Sequence, residues 1–213
     1  MSMFFTLVKR DVTAALRSGA LLPMIFFLLV ATLYPFAVGP DGAILERTGG
    51  GVLWVAALLA ALLPIDRLIA PDLENGVLDQ LTVRGVSAEL IVAAKALAHW
   101  LSFGPLLMLA CLPAAGLLRL EGDTLMRLEL GLLLGTPALA SMGVLVASLT
   151  AGLQRAGALA GLLLLPLAVP ILIFGAGSLG EGTSALKLLG AASLFLCAIT
   201  PFAAGGALRA GQE

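Results

Sequence analysis

Long apolar runs, separated by shorter polar stretches, recur along the whole chain. A helix needs about 20 apolar residues to cross the hydrocarbon layer of a bilayer, and most of the runs reach that length. The second run is short, so its helix would begin earlier or bury its polar end against protein. The pattern predicts an all-α, polytopic membrane protein with six transmembrane helices in a single domain, 1–213. The predicted spans are 20–38, 52–65, 90–118, 128–149, 156–179 and 186–208.

Glycine, proline and charged residues mark the connections between these spans. The stretch 39–51 contains Pro40, Gly42 and three consecutive glycines, which predict a loop. Shorter connections are predicted at 119–127, 150–155 and 180–184, and a tail at 209–213.

The first 18 residues are too polar to span a membrane, but they show helical periodicity. Their apolar and basic positions fall on opposite faces, which predicts an amphipathic interfacial helix with its basic face towards anionic lipid. A signal peptide is the alternative, but the apolar run that follows exceeds the roughly 7–15 residues of a signal core. The apolar positions are Phe5, Val8, Val12 and Leu16, and the polar ones are Thr6, Arg10, Thr13 and Arg17.

The segment 66–89 is the most polar part of the chain. Apolar residues recur in it at helical spacing, and Asn75-Gly76 predicts a turn between two short helices. One interpretation is a cytoplasmic coupling helix inserted in a groove of an ATPase partner. The other is a solvated loop helix that rests on the membrane surface. The residues assigned to ATPase coupling are Asp72, Leu73, Glu74, Gly76, Val77, Leu78 and Leu81.

Composition narrows the class of protein further. The chain is 60% apolar and 12% charged, whereas soluble domains run at roughly 45–50% apolar and about 25% charged. The net charge of −1 argues against a nucleic-acid partner. Cys111 and Cys197 form no metal-binding motif, and none of the lysines follows a glycine as a P-loop requires. Catalysis is therefore the weakest interpretation, and any ATP would be bound by a separate polypeptide.

The distribution of Lys and Arg predicts the orientation. With a cytoplasmic N-terminus, eight of the 12 basic residues lie in inside segments. Cytoplasmic loops of membrane proteins are enriched in Lys and Arg. We therefore expect both termini in the cytoplasm.

Several residues within or beside the spans could be structural or could form an interface. His99 lies one turn beyond Lys95. Three interpretations of it are open: a haem or metal ligand, a structural histidine, or a residue that takes part in ATPase coupling. Asp66 and Arg67 are adjacent and face apart, so they pair with other helices or subunits, or are solvated.

Proline and aromatic residues add two further expectations. Pro166 and Pro170 lie on one face of the fifth span and each removes a backbone hydrogen bond, which predicts a kink that flexes or stays static. Trp54, Tyr34 and Trp100 lie near predicted span ends, as interfacial anchors do.

Several longer motifs occur together along the chain. The polar segment contains DLENGVLDQL at 72–81, which resembles the coupling segment of ABC-2 exporter permeases. With the other motifs, the chain resembles, over nearly its whole length, the haem exporter protein B family, the membrane permease subunit of the cytochrome c maturation ABC transporter. The other motifs are LYPFAVGP (33–40), WVAALL (54–59), AKALAHW (94–100), LLLGTP (132–137), PLAVPILIF (166–174) and TPFAA (200–204).

The resemblance implies a place in the bacterial inner membrane and several partners. These are a cytoplasmic ABC ATPase, the haem-handling exporter protein C, the small exporter protein D, the periplasmic haem chaperone E and a second copy in a homodimer. It implies haem export or ATP-driven release of the haem-loaded chaperone, with haem as cargo rather than as a cofactor bound by this chain. Alternatives are an ABC-2 permease for lipid or polysaccharide, and a membrane scaffold without transport.

The topology can be tested with reporter fusions. Fusions at Gly42 and Asp123 should report the outside, and a fusion at Gly76 should report the cytoplasm, because the orientation follows the basic residues. Alkaline phosphatase activity reports a fusion point outside the cytoplasm, and green fluorescent protein fluorescence reports one inside it. The reverse location at all three positions would overturn the predicted orientation.

Overall fold

The computed structural model describes residues 2–19, 21–39, 41–153, 156–180 and 182–210. Expectations for Met1, Ala20, Pro40, Arg155 and 211–213 lie outside the described residues. The described part of the chain forms nine α-helices and a 3₁₀ turn (Ile65–Arg67), without a β-strand. The helices are α1 (Ser2–Arg17), α2 (Leu21–Val38), α3 (Gly42–Leu62), α4 (Ala70–Glu74), α5 (Val77–Val83), α6 (Ala88–Leu117), α7 (Gly122–Thr150), α8 (Ala156–Gly177) and α9 (Ser184–Ala210).

Six helices in the described part of the chain are long and apolar enough to cross a membrane. They are α2, α3, α6, α7, α8 and α9, so the predicted number and order of the spans are confirmed. The protein is a multi-pass, all-α membrane protein.

Helix α7 is the centre of the bundle. It packs against α3, α6, α8 and α9, and more of its apolar segment is buried than in any other spanning helix described. Helix α2 packs on α3 and α6, and α1 packs on α6. The outer faces of α2, α8 and α9 expose large apolar side chains, as expected of helices that face lipid.

The predicted loop at 39–51 is wrong, because α3 already begins at Gly42. Asp41 starts the helix, since its carboxylate accepts hydrogen bonds from the first backbone N–H groups. The glycines do not break the helix; they allow close packing. A Cβ at Gly49 would lie 3.0 Å from Leu118, and one at Gly50 would lie 2.6 Å from Leu179.

Trp54 is not an interfacial anchor, contrary to the expectation from its position in the sequence. Only 1% of it is exposed. Its indole lies in a cradle of glycines, where an added Cβ would come within 3.0 Å at Gly131, 2.7 Å at Gly135 and 2.6 Å at Gly175. The missing side chains let α7 and α8 close around a large ring, as small residues do in membrane helix packing.

Two other aromatic residues form hydrogen bonds between helices. Trp100 donates from Nε1 to the Thr136 hydroxyl on α7 at 3.0 Å. The Tyr34 hydroxyl on α2 lies 2.9 Å from that of Thr48 on α3. These side chains therefore join the helices of the bundle.

Helix α8 continues through both of its prolines. Pro166 and Pro170 are exposed on its outer surface. The helix is therefore continuous across both prolines, and whether it is kinked there and whether it flexes stay open.

One end of the bundle carries α1, α4 and α5, and we call it the α4–α5 end. Arg67 of the 3₁₀ turn donates to the Ser18 carbonyl just after α1. Arg209 near the end of α9 forms an ion pair with Glu89 at the start of α6. These contacts bring the beginning, middle and end of the chain together at one end of the bundle.

The glycine cradle can be tested by adding one methyl group. Gly175→Ala should lower the free energy of unfolding by about 1–3 kcal/mol, because the enclosed indole cannot move aside. Gly161→Ala, on the same helix with open space at the Cβ position, is the matched control and should not destabilise the protein. Thermal unfolding in detergent measures both.

Shrinking the ring provides the second arm of this test. Trp54→Phe should recover part of the stability that Gly175→Ala loses, because the smaller ring leaves room for the methyl group. Equal destabilisation by the two alanine variants would contradict the packing explanation.

Candidate functional site

The segment that joins α3 to α6 folds into two short helices across the α4–α5 end. Gly76 adopts a positive φ of +67° between α4 and α5, a conformation that glycine adopts without strain. The predicted turn at Asn75-Gly76 is therefore confirmed. Ser87 accepts a hydrogen bond from the Leu90 N–H at 3.3 Å and caps α6, as its residue type favours.

The apolar side of α5 faces the bundle. Leu78 and Leu81 are buried, and Leu73 and Val77 are partly buried against the core. The surface open to a partner is therefore mainly polar, with Val83 as a large apolar exception at 88% exposure. The exposed polar residues of this surface are Glu74, Asn75, Asp79, Gln80, Thr82 and Arg84.

An ion-pair network lies beneath this segment and joins three helices. Lys95 of α6 places its ammonium 2.5 Å from Asp72 of α4 and 3.4 Å from Asp11 of α1. Arg10 of α1 contacts the same Asp72 oxygen at 2.6 Å and also contacts Asp11. We call these four residues the charge network. It ties α1 and α4 to the start of a spanning helix.

Burial makes the network energetically important. Only 7% of the Lys95 side chain is exposed, and a buried ammonium without a partner costs several kcal/mol. The network contains two cationic side chains and two carboxylates, so it has no formal net charge. Burial disfavours the charge on Arg10, but Asp11 and Asp72 outweigh it and raise the pKa of Arg10 above its ordinary value. The two cations and the two carboxylates therefore compensate one another within the network.

A cavity of about 340 Å³ adjoins the charge network. It lies between α1, the start of α2, the 3₁₀ turn, α4 and α6. Asp11, Asp72 and Lys95 line one side, and Arg67 and His99 contribute further polar groups. The side chains at this junction therefore have free space beside them.

His99 is enclosed between helices. Its ring lies 4.7 Å from that of Phe103, centroid to centroid, and it hydrogen-bonds to the backbone of Ala61. The Nε2 atom has no hydrogen-bond partner among the described residues and faces Gly143, where a Cβ would lie 3.4 Å away. The residue is 4% exposed and its ring packs on Phe103, so this geometry favours the structural interpretation.

The structure brings together only part of the predicted site. Asp72 and Lys95 form an ion pair, and Arg67 and His99 lie beside the same cavity, whereas Asp66 is exposed. Pro166 and Pro170 belong to α8 and not to this junction.

Sequence reasoning missed Asp11 and the partners of Arg10. Arg10 was expected to face lipid, but it contacts Asp72. The available signal was Lys95 itself, since an ammonium among apolar residues of a spanning helix needs a carboxylate nearby. Periodicity does not indicate which of the distant acidic residues supplies that carboxylate.

Comparison with known proteins gives consistent full-length matches. The family model described as CcmB protein matches residues 2–211. Heme exporter protein B of Rhodobacter capsulatus is 46% identical over 211 residues, which cover 95% of this chain and 97% of the relative. The protein of the same name from Paracoccus denitrificans is 47% identical over the same shares. That from Escherichia coli K12 is 38% identical, covering 97% of this chain and 98% of the relative.

The charge network can be tested by removing one carboxylate. Asp72→Asn should lower the free energy of unfolding by about 1–3 kcal/mol, because the Lys95 ammonium loses its shortest ion pair. Glu74→Gln, on the exposed side of the same helix, should change it by less than about 0.5 kcal/mol. Thermal unfolding in detergent measures both variants.

A second substitution distinguishes charge from packing. Adding Lys95→Gln to Asp72→Asn should recover part of the loss, since the unpaired ammonium is removed. Equal stability of Asp72→Asn and the unmodified protein would argue against the network.

Proposed function

The chain belongs to the CcmB family, and from that premise we propose that it is the haem-exporter permease of an ABC transporter complex for c-type cytochrome biogenesis. It is a non-catalytic component that receives ATP-driven movement from a separate ATPase. The output is haem export or release of the haem-loaded periplasmic chaperone. Heme exporter protein B is the name carried by full-length relatives at 38–47% identity.

The observation that carries this proposal is the geometry of the α4–α5 segment. Its polar side and Val83 are exposed at one end of the bundle, while buried leucines and the charge network hold its other side. A partner that moves this segment therefore pulls on α1 and α6 at once. This arrangement supports a role for 66–89 as the cytoplasmic coupling segment. The buried leucines would hold the segment on the bundle and would not contact the ATPase.

The chemistry of the chain fits a permease that depends on another protein for energy. Its lysines follow Val8, Ala94 and Leu186, so the glycine-lysine pair of a P-loop does not occur. ATP therefore belongs to the partner ATPase. Haem is the cargo of the complex and no haem-binding residue is assigned to this chain.

The remaining elements of the proposal concern the assembly. We place the chain in the bacterial inner membrane with both termini and the α4–α5 end in the cytoplasm. A homodimer would pair with two ATPase chains, the haem-handling exporter protein C and the small exporter protein D, and would act indirectly on chaperone E. The first turn of α3 and the last turn of α8 would then face the periplasm.

The ATPase contact can be tested at Val83. Val83→Glu should abolish or strongly reduce co-purification of the ATPase, because a charge would replace an exposed apolar contact that the interface buries. Val83→Ile keeps the apolar character and should retain the partner. Gentle detergent purification followed by quantitative mass spectrometry measures the ratio of the two proteins.

The stability of the variants separates a lost contact from a damaged fold. Val83→Glu should unfold at the same temperature as the unmodified protein, since the side chain is exposed, whereas Leu78→Glu should destabilise the bundle. Unchanged ATPase recovery and turnover in Val83→Glu would argue against docking on this surface.

A further inference from the structure

Lys95 faces two carboxylates that belong to different helices. Asp72 on α4 lies 2.5 Å from its ammonium, and Asp11 on α1 lies 3.4 Å away. Both distances are those of ion pairs, and the first is the shorter. In the observed arrangement Asp72 is therefore the closer partner, and Asp11 is a second acceptor already in contact.

Movement of α4 would leave a buried charge unless a second partner is available. If the partner ATPase draws α4 away, Asp72 leaves Lys95, whose side chain is 7% exposed. An uncompensated buried ammonium would make the moved state unfavourable. Asp11 can compensate this ammonium, because it belongs to α1 and does not have to follow α4.

The surroundings allow the exchange to occur with small motions. The cavity beside Asp11, Asp72 and Lys95 provides space for the lysine side chain to turn. Arg10 contacts both carboxylates, so it can follow Asp72 while Lys95 moves to Asp11. Each cation then keeps one carboxylate in both arrangements.

We propose that Asp11 is a positioning residue for energy coupling: it accepts the Lys95 ammonium when ATP-driven movement of α4 withdraws Asp72. Lys95 thus has Asp72 as its closer partner in the resting arrangement and Asp11 as its remaining partner in the moved one. This inference rests on the proposed function, because it requires a partner that moves α4 during each ATP cycle.

The test replaces one carboxylate by an amide in the complete complex. Asp11→Asn should retain the ATPase but lower the kcat for ATP hydrolysis by about tenfold, since Lys95 keeps its shorter ion pair with Asp72 in the resting arrangement but depends on Asp11 in the moved one. The KM for ATP should stay within about twofold. Asp11→Glu keeps the charge and should restore most of the turnover.

Two comparisons make the result specific. Asp123→Asn also converts one carboxylate to an amide, at the opposite end of the bundle, and should leave turnover unchanged. In a Lys95→Gln background, Asp11→Asn should cause no further loss, because Asp11 acts through the ammonium. A purely structural role of Asp11 would produce the same loss in both backgrounds.

Different outcomes separate this inference from the proposed function. Turnover within twofold of the unmodified complex in Asp11→Asn, or an equal loss in the Lys95→Gln background, would overturn the exchange while leaving ATPase docking intact. If the ATPase still co-purifies with Val83→Glu and with every other variant, and its turnover does not depend on this chain, the exchange and the proposed function would both be overturned. The expected non-additive loss, with rescue by Asp11→Glu, would support the exchange.

Discussion

A buried ammonium must keep a carboxylate partner, and this constraint organises the α4–α5 end of the bundle. Lys95 lies on a spanning helix, and its carboxylate partners come from α1 and α4. Because an isolated buried charge is costly, neither helix can leave without a replacement for the lost ion pair. The short polar segment and the N-terminal helix are therefore energetically connected to α6, although they lie far apart in sequence.

The middle of the bundle follows a different physical rule. There the described helices approach closely because glycines on α7 and α8 leave space for Trp54. Such packing is short-range and tolerates little displacement. The charge network, by contrast, lies beside a cavity, which leaves free space for its side chains. The bundle therefore combines a tightly packed centre with a less tightly packed end.

Local features were predictable because they depend on neighbouring residues. The apolar runs predicted the six spans, the Asn75-Gly76 pair predicted the turn before α5, and Ser87 predicted the cap of α6. The glycines at 49–51 and Trp54 misled sequence reasoning, because their roles depend on distant helices. Leu118 and Leu179 occupy the space that side chains at Gly49 and Gly50 would need.

The amino-acid sequence by itself determined that this is a membrane protein with six apolar spans and without a P-loop motif, because hydrophobic length and local motifs need no knowledge of packing. Its long motifs also indicated the family. Tertiary structure alone decided that the leucines of α5 face the bundle, that Trp54 lies in a glycine cradle and that Asp11 and Asp72 share Lys95. These features depend on which distant helices meet, and the folded bundle brings residues 84 positions apart into ionic contact.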